Sequence, residues 1–138
     1  YDSPKGNAIL YRQKDGVEEL DDFSHELILV VDTAQSLCVF TGCAHNGVLN
    51  IVSTVQTVLP DKQIQCVYGG FHLIDTKDFV KTESEKELKN IARELTITLP
   101  VAQFYTGHCT GSSAFTILKD EMGEKLEDFY VGKEVVLS

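Results

Sequence analysis

Four short β-rich runs constrain what this 138-residue chain can fold into: residues 27–31 (LILVV), 37–40 (LCVF), 63–68 (QIQCVY) and 101–106 (VAQFYT). Each is rich in β-branched, aromatic or other apolar residues, and each is too short for an ordinary helix, so each reads as a strand. The first two, separated by a turn at Thr33–Ser36, read as a hairpin of buried strands. From there the periodicity changes. Val48, Ile51, Val52, Val55, Val58 and Leu59 recur at helical spacing until Pro60 stops them. Leu88, Ile91, Ala92 and Leu95 form one apolar stripe, which predicts a helix over about 83–97, with capping-box spacing at Thr82–Glu85 and a stop at Pro100. Ser112–Met122 predicts a third helix with Gly123 as its C-cap. Residues 7–12 predict a further strand closed by the Asp15-Gly16 turn, and 126–131 and 133–137 two final strand-like pieces. The order β, β, β, α, β, α, β, α, β implies a mixed α/β layer architecture of the α+β type. Neither a repeat nor a linker interrupts it, so residues 1–138 are expected to form a single domain or half-domain.

A formal net charge of −9 disfavours nucleic acid and anionic membrane surfaces as partners, because both carry negative charge. No apolar run approaches the roughly 20 residues of a membrane span. The start Tyr1-Asp2-Ser3-Pro4-Lys5 lacks the basic and apolar regions of a signal peptide, so a cytoplasmic location is expected. Cysteines 38, 43, 66 and 109 show no CxxC pairing and suit a reducing compartment. Cys38 and Cys66, inside strand-like runs, read as free thiols buried as small hydrophobes.

Three of the four histidines share one setting, a glycine-containing turn just after a predicted strand. They are His45 in Thr41-Gly42-Cys43-Ala44-His45-Asn46-Gly47, His72 in Gly69-Gly70-Phe71-His72-Leu73, and His108 in Thr106-Gly107-His108-Cys109-Thr110-Gly111. In open α/β sheets such loops gather outside the carboxyl ends of the strands. Imidazoles from three loops suit Zn²⁺ or a similar divalent ion with a position left open for water or substrate. Cys43 and Cys109 lie in the same loops, as thiolate ligands or as reactive thiols. One histidine after a strand is more often a hydrogen-bonding loop residue; the repetition carries the metal reading. Each glycine pair, Gly69-Gly70 in particular, could serve only to reverse the chain. His25, with no glycine nearby, reads as a surface residue, and Asp21, Asp22 and Glu26 as a solvated acidic face. GxGxxG, P-loop, GxSxG and CxxC motifs are missing, which removes nucleotide, serine-hydrolase and thioredoxin chemistry.

The blocks Thr41-Gly42-Cys43-Ala44-His45-Asn46-Gly47-Val48, Gly69-Gly70-Phe71-His72-Leu73 and His108-Cys109-Thr110-Gly111, with Asp22-Phe23-Ser24-His25-Glu26 before them, resemble one family in that order. It is the metal-dependent hydrolases of the metallo-β-lactamase superfamily related to the 7,8-dihydropterin-6-methyl-4-(β-D-ribofuranosyl)aminobenzene-5′-phosphate synthases. Ala44 and Asn46 stand where Ser and Pro are usual. The family's HxHxDH block does not occur in these residues, so the resemblance implies the C-terminal half of an αββα sandwich, a mixed sheet with helices on one face. It further implies a divalent metal, Zn or else Mn or Fe, held by His45 and His108, with His72 as a ligand or a substrate contact. The parent protein would hydrolyse an ester, phosphoester or related small molecule through metal-activated water, and this chain alone would be inactive. Synthase-type transfer in pterin biosynthesis and a non-catalytic, self-associating half-domain are the alternatives. The exposed inner sheet face implies a partner, either the missing N-terminal half or a second copy.

Overall fold

A computed structural model of the chain describes residues 1–74 and 82–136. Five strands form one sheet in the order in which they occur: β3 (Leu29–Asp32), β4 (Ser36–Phe40), β5 (Gln63–Tyr68), β6 (Gln103–Thr106) and β7 (Leu126–Asp128). β3 and β4 are the expected antiparallel hairpin, and β4 to β7 are parallel. Parallel neighbours need crossovers, supplied by α1 (Val48–Val58), α2 (Glu85–Thr98) and α3 (Ser112–Met122). All three helices cover the same face. Leu37, Val39, Ile64, Val67, Phe104 and Leu126 point from the sheet into one core with Val52, Val55, Leu88, Leu95 and Leu118 of the helices. Each such side chain contributes about 1.5–3 kcal/mol on leaving water, which makes this face the main source of stability. The predicted α+β class, with helices on one face of a mixed sheet, is what the chain adopts.

Several expected boundaries shift for local reasons. Residues 7–12 do not form one strand: a 3₁₀ helix occupies Lys5–Ile9 after Pro4, whose fixed φ suits a helix start, and β1 begins at Tyr11. β1 (Tyr11–Lys14) pairs with β2 (Val17–Leu20) as a separate hairpin around Asp15-Gly16, both in left-handed conformation (φ 52° and 80°) as a two-residue turn requires. The α2 cap is Ser84 with Glu87, not Thr82 with Glu85; the Ser84 N–H donates to Glu87 at 2.7 Å, and Lys5 Nζ binds the same carboxylate. The closing pieces reduce to β7. Residues 129–136 are not strand, and the last residue of the predicted 133–137 piece lies outside the described residues.

The other sheet face carries Cys38, Cys66, Tyr68 and Tyr105, with Val31, Phe40 and Val135 packed on them. Cys38 and Cys66 are buried as expected, but they are not free thiols: they form a disulfide between directly paired residues of β4 and β5, Cα atoms 4.8 Å apart. A register shift after Leu37 brings these two cysteines opposite each other. Phe40, Tyr68 and Tyr105 then stack across three strands, ring centroids 4.7 and 4.5 Å apart. The chain itself partly covers this ladder. Phe129 meets Tyr68 edge-on, and Lys133 Nζ lies 5.3 Å from the Tyr105 ring centroid, within cation–π range.

Candidate metal centre at the carboxyl ends of the parallel strands

Three parallel strands in a row end on the same side, so the loops after Phe40, Tyr68 and Thr106 are neighbours. Hydrogen bonds lash them together. Thr41 N–H donates to Tyr68 O at 2.7 Å, Gly70 N–H to Gly42 O at 2.8 Å and Gly69 N–H to Tyr105 O at 3.0 Å. A buried relay completes the join. Phe71 N–H donates to Thr110 Oγ1 (3.0 Å), and Thr106 Oγ1 donates to Gly69 O (2.7 Å). Between them the two hydroxyls lie 2.6 Å apart. Because the Thr106 proton is committed to Gly69, Thr110 must be the donor in that pair, and every group in the chain is satisfied. Gly69 and Gly70 therefore do more than reverse the chain. A Cβ on Gly69 would lie 2.2 Å from Thr41 Oγ1, and one on Gly70 2.4 Å from Cys109 Sγ.

His45 and His72 come together, ring centroids 4.1 Å apart. The Asn7 amide donates its Nδ2–H to His45 O (2.7 Å), so its Oδ1 must accept from His45 Nδ1 (3.0 Å). That bond fixes the proton on Nδ1 and leaves Nε2 as the free lone pair. Phe23 stacks flat on the other side of the ring at 4.1 Å. The Glu26 carboxylate accepts from the backbone N–H groups of His45 (2.7 Å) and Asn46 (2.8 Å), so Glu26 anchors the loop and is not part of a merely solvated face. His72 is only 7% exposed, and neither ring nitrogen has a hydrogen-bond partner. Burial lowers the pKa of both imidazoles from 6.5; for His72 the neighbouring His45 lowers it further, while the Gly6 backbone, close by but outside hydrogen-bond geometry, opposes. Both rings are thus held in the neutral form that binds metals.

His108 takes a different position. Its Nδ1 lies 3.8 Å from Cys43 Sγ, and the ligand atoms of Cys43, His108 and Cys109 all fall within 4.8 Å of one another. Among the described residues this is the one group of three or more such side chains; His45 and His72 form a separate pair. The two groups adjoin: the His72 backbone lies close enough to lower the Cys109 thiol's pKa, and that thiol donates to Cys43 O at 3.6 Å. Burial, and then the Cys43 side chain, push that thiol up to about 12. His25 is a surface residue, as expected, 3.7 Å from Asp21.

Asn7 lies in no motif that marks it as a site residue, and Phe23, Thr106 and Thr110 lie inside the quoted blocks without a role that sequence alone assigns them. One backbone signal does mark the site. Among the described residues, four of the five non-glycine residues with positive φ are Phe23 (51°), Ala44 (58°), His72 (50°) and His108 (52°). Such conformations cost about 1–3 kcal/mol each and collect where function demands them.

No family model matches the chain. A curated relative, the 7,8-dihydropterin-6-methyl-4-(beta-D-ribofuranosyl)-aminobenzene-5'-phosphate synthase of Methanocaldococcus jannaschii, is 31% identical over 124 residues, which are 90% of this chain and 40% of the relative. Among solved structures, the crystal structure of a metal-dependent hydrolase of the β-lactamase superfamily superposes with a TM-score of 0.78 at 33% identity, over 93% of this chain and 46% of that one. The chain spans less than half the length of either protein.

Proposed function

We propose that this chain, which has the fold of the β-lactamase superfamily and is similar to it in sequence, supplies one side of a divalent-metal-dependent hydrolase site for a small ester, phosphoester or related substrate. One observation carries the reading. His72 is buried with both ring nitrogens unpartnered and faces His45, whose Nε2 is left free by the bond to Asn7. Burying a polar ring without partners is costly, and an ion shared with His45 would remove that cost. His45 and His72 would be ligands, His108 a third from the adjoining loop, and Cys43 and Cys109 near neighbours of the ion. Nitrogen and sulfur donors favour Zn²⁺ over Mn²⁺ or Fe²⁺. When bound, such an ion makes water a nucleophile near neutral pH and polarises a substrate oxygen. The chain's own residues prepare for it: Asn7 sets the His45 tautomer, Glu26 fixes the loop, and Phe23 keeps water off one ring face.

The remaining ligands would come from an N-terminal half of the fold, docked on the sheet face opposite the helices. This chain alone would then be inactive. The curated relative's name favours a second reading, synthase-type transfer in the same crevice, and a self-associating half-domain without metal is a third. Neither a membrane nor a nucleic acid is a proposed partner; no described helix is long and apolar enough to cross a bilayer. The cytoplasm remains the proposed location. The Cys38–Cys66 bond is more usual in an oxidising compartment, so counting thiols in protein taken directly from cells tests that proposal.

The deciding experiment is metal content by inductively coupled plasma mass spectrometry, on this chain and on the protein extended by its upstream coding sequence. Near-stoichiometric metal in the longer protein, lost in His45→Ala and His72→Ala, is the expected result. Absence of metal from both, or retention in both variants, removes the hydrolase reading.

A further inference from the structure

The histidine pair lies under a roof. The 3₁₀ segment Lys5–Ile9 crosses it, and Gly6 is buried against His72: a Cβ on Gly6 would lie 3.1 Å from His72 Nε2 and 3.0 Å from Ile74 Cδ1. Only a residue without a side chain lets the backbone sit this low. The next residue, Asn7, binds both the backbone and the ring of His45. We propose that Lys5–Ile9 is a lid over the two imidazoles, latched by Lys5 to the first turn of α2, and that its opening admits the ion or substrate to His72. What the lid admits rests on the reading above; that it opens does not, and is tested without metal.

The attachments are those of a movable segment. Lys5–Ile9 belongs to neither sheet, and its backbone closes on itself, Asn7 N–H to Pro4 O (3.1 Å) and Leu10 N–H to Asn7 O (3.0 Å). Side chains clip it to the rest of the chain. The Lys5 N–H donates to Glu83 Oε1, and Lys5 Nζ to both oxygens of Glu87, each at 2.7 Å. The ends are firmer: Pro4 is buried at a small cavity that it lines with Phe71, Leu73 and Ile91, and Leu10 O accepts from Asp21 N–H at 2.9 Å. A segment fixed at both ends and clipped in the middle opens as a unit of local unfolding.

The latch is a weak one. The Lys5 and Glu87 side chains are 41% and 44% exposed, and an ion pair this open to water contributes little and is screened by salt. Breaking it leaves α2 intact, because Glu87 still accepts from the Ser84 N–H in the capping box. His72, by contrast, gains from the opening. It is buried with both ring nitrogens unpartnered, so water or an ion entering under the lid supplies what the closed form withholds.

The test is carbethoxylation of the metal-free chain by diethyl pyrocarbonate at neutral pH, read histidine by histidine by peptide mass spectrometry. A neutral imidazole nitrogen bonds to the reagent's carbonyl carbon, the anhydride C–O bond breaks, and ethyl carbonate leaves with the ring proton. His25 and His108 are exposed and should react first, with His72 at least about tenfold slower. Lys5→Ala should speed His72 by about two- to fivefold and Lys5→Ala/Glu83→Ala by about tenfold or more, with His25 and His108 unchanged and Lys5→Arg at the wild-type rate. Raising the ionic strength to roughly 1 M should speed His72 in the wild type and not in Lys5→Ala. Hydrogen exchange in β5 should stay constant, which separates a lid from opening of the whole sheet. A wild-type His72 that reacts as fast as His25, or a rate that ignores both variants, overturns the lid; so does a matching rise in β5 exchange. Loss of the metal reading would leave these rates as they are, and loss of the lid would leave the metal count as it is, so the two fail separately.

Discussion

Thr110→Val tests the relay that joins the second and third site loops. The substitution keeps the shape of a side chain that is fully buried and removes only its hydroxyl. Phe71 N–H then has no acceptor, and Thr106 loses the donor that lies 2.6 Å away. A buried N–H left unsatisfied costs about 1–3 kcal/mol, and the lost hydroxyl bond adds about 0.5–1.5 kcal/mol, so the expected loss is about 2–4 kcal/mol. With an unfolding entropy of about 0.3 kcal/mol/K for 138 residues, that lowers Tm by roughly 7–14 °C. Thr106→Val strands Gly69 O and the Thr110 hydroxyl instead. Because both variants break one chain of bonds, the double variant should lose less than the sum, by about 1 kcal/mol or more. Urea unfolding with an unchanged m-value measures all three proteins. A Thr110→Val cost below about 1 kcal/mol, or a double variant that is simply additive, would show that the relay is not what holds these loops.

Other outcomes follow from the same geometry. Asn7→Ala frees the His45 ring to exchange its proton between nitrogens; in the metal-binding protein of the proposed function, affinity measured by competition with a chelator should fall about 10–100-fold while the fold persists. Gly70→Ala places a methyl where Cys109 Sγ sits and should destabilise the joined loops, read as a lowered urea midpoint. His45 and His72 have folded pKa values below 6.5, so the unfolded chain binds more protons than the folded one between those values and 6.5. The metal-free chain should therefore be most stable above pH 6.5 and lose stability as pH falls through the folded values, with a shallower urea-midpoint profile in His72→Gln. Alkylation of the purified, unreduced chain should label Cys43 and Cys109 only, and reduction in denaturant should add two more labels, read by intact mass.

Where the fold was legible, local pattern and global placement agree. The β-rich runs and helical stripes named the sheet, its hairpin and all three helices, because each element buries one face against the same core. Turn glycines after strands pointed to the site, since the carboxyl ends of neighbouring parallel strands meet whatever the details. What stayed hidden depends on register and long-range packing. The disulfide needs the shift after Leu37 that sets Cys38 opposite Cys66, and no pattern within either strand encodes it. Whether the three histidines meet at one point depends on backbone angles: His72 turns toward His45, while His108 turns toward Cys43. Asn7 was hidden as well, because it reaches His45 across 38 residues of sequence.

The Cys38–Cys66 bond has a topological consequence. It closes a covalent ring of sequence separation 28 that contains the whole of α1 and the His45 loop, while His72 and His108 lie outside it. Shrinking the unfolded chain's freedom in this way is worth about 3–4 kcal/mol on the chain-entropy account. A protease that cuts between residues 41 and 47 would therefore not separate the pieces. The nicked protein would remain one covalent molecule, and a cut after His45 would leave the two imidazoles of the histidine pair on opposite sides of it.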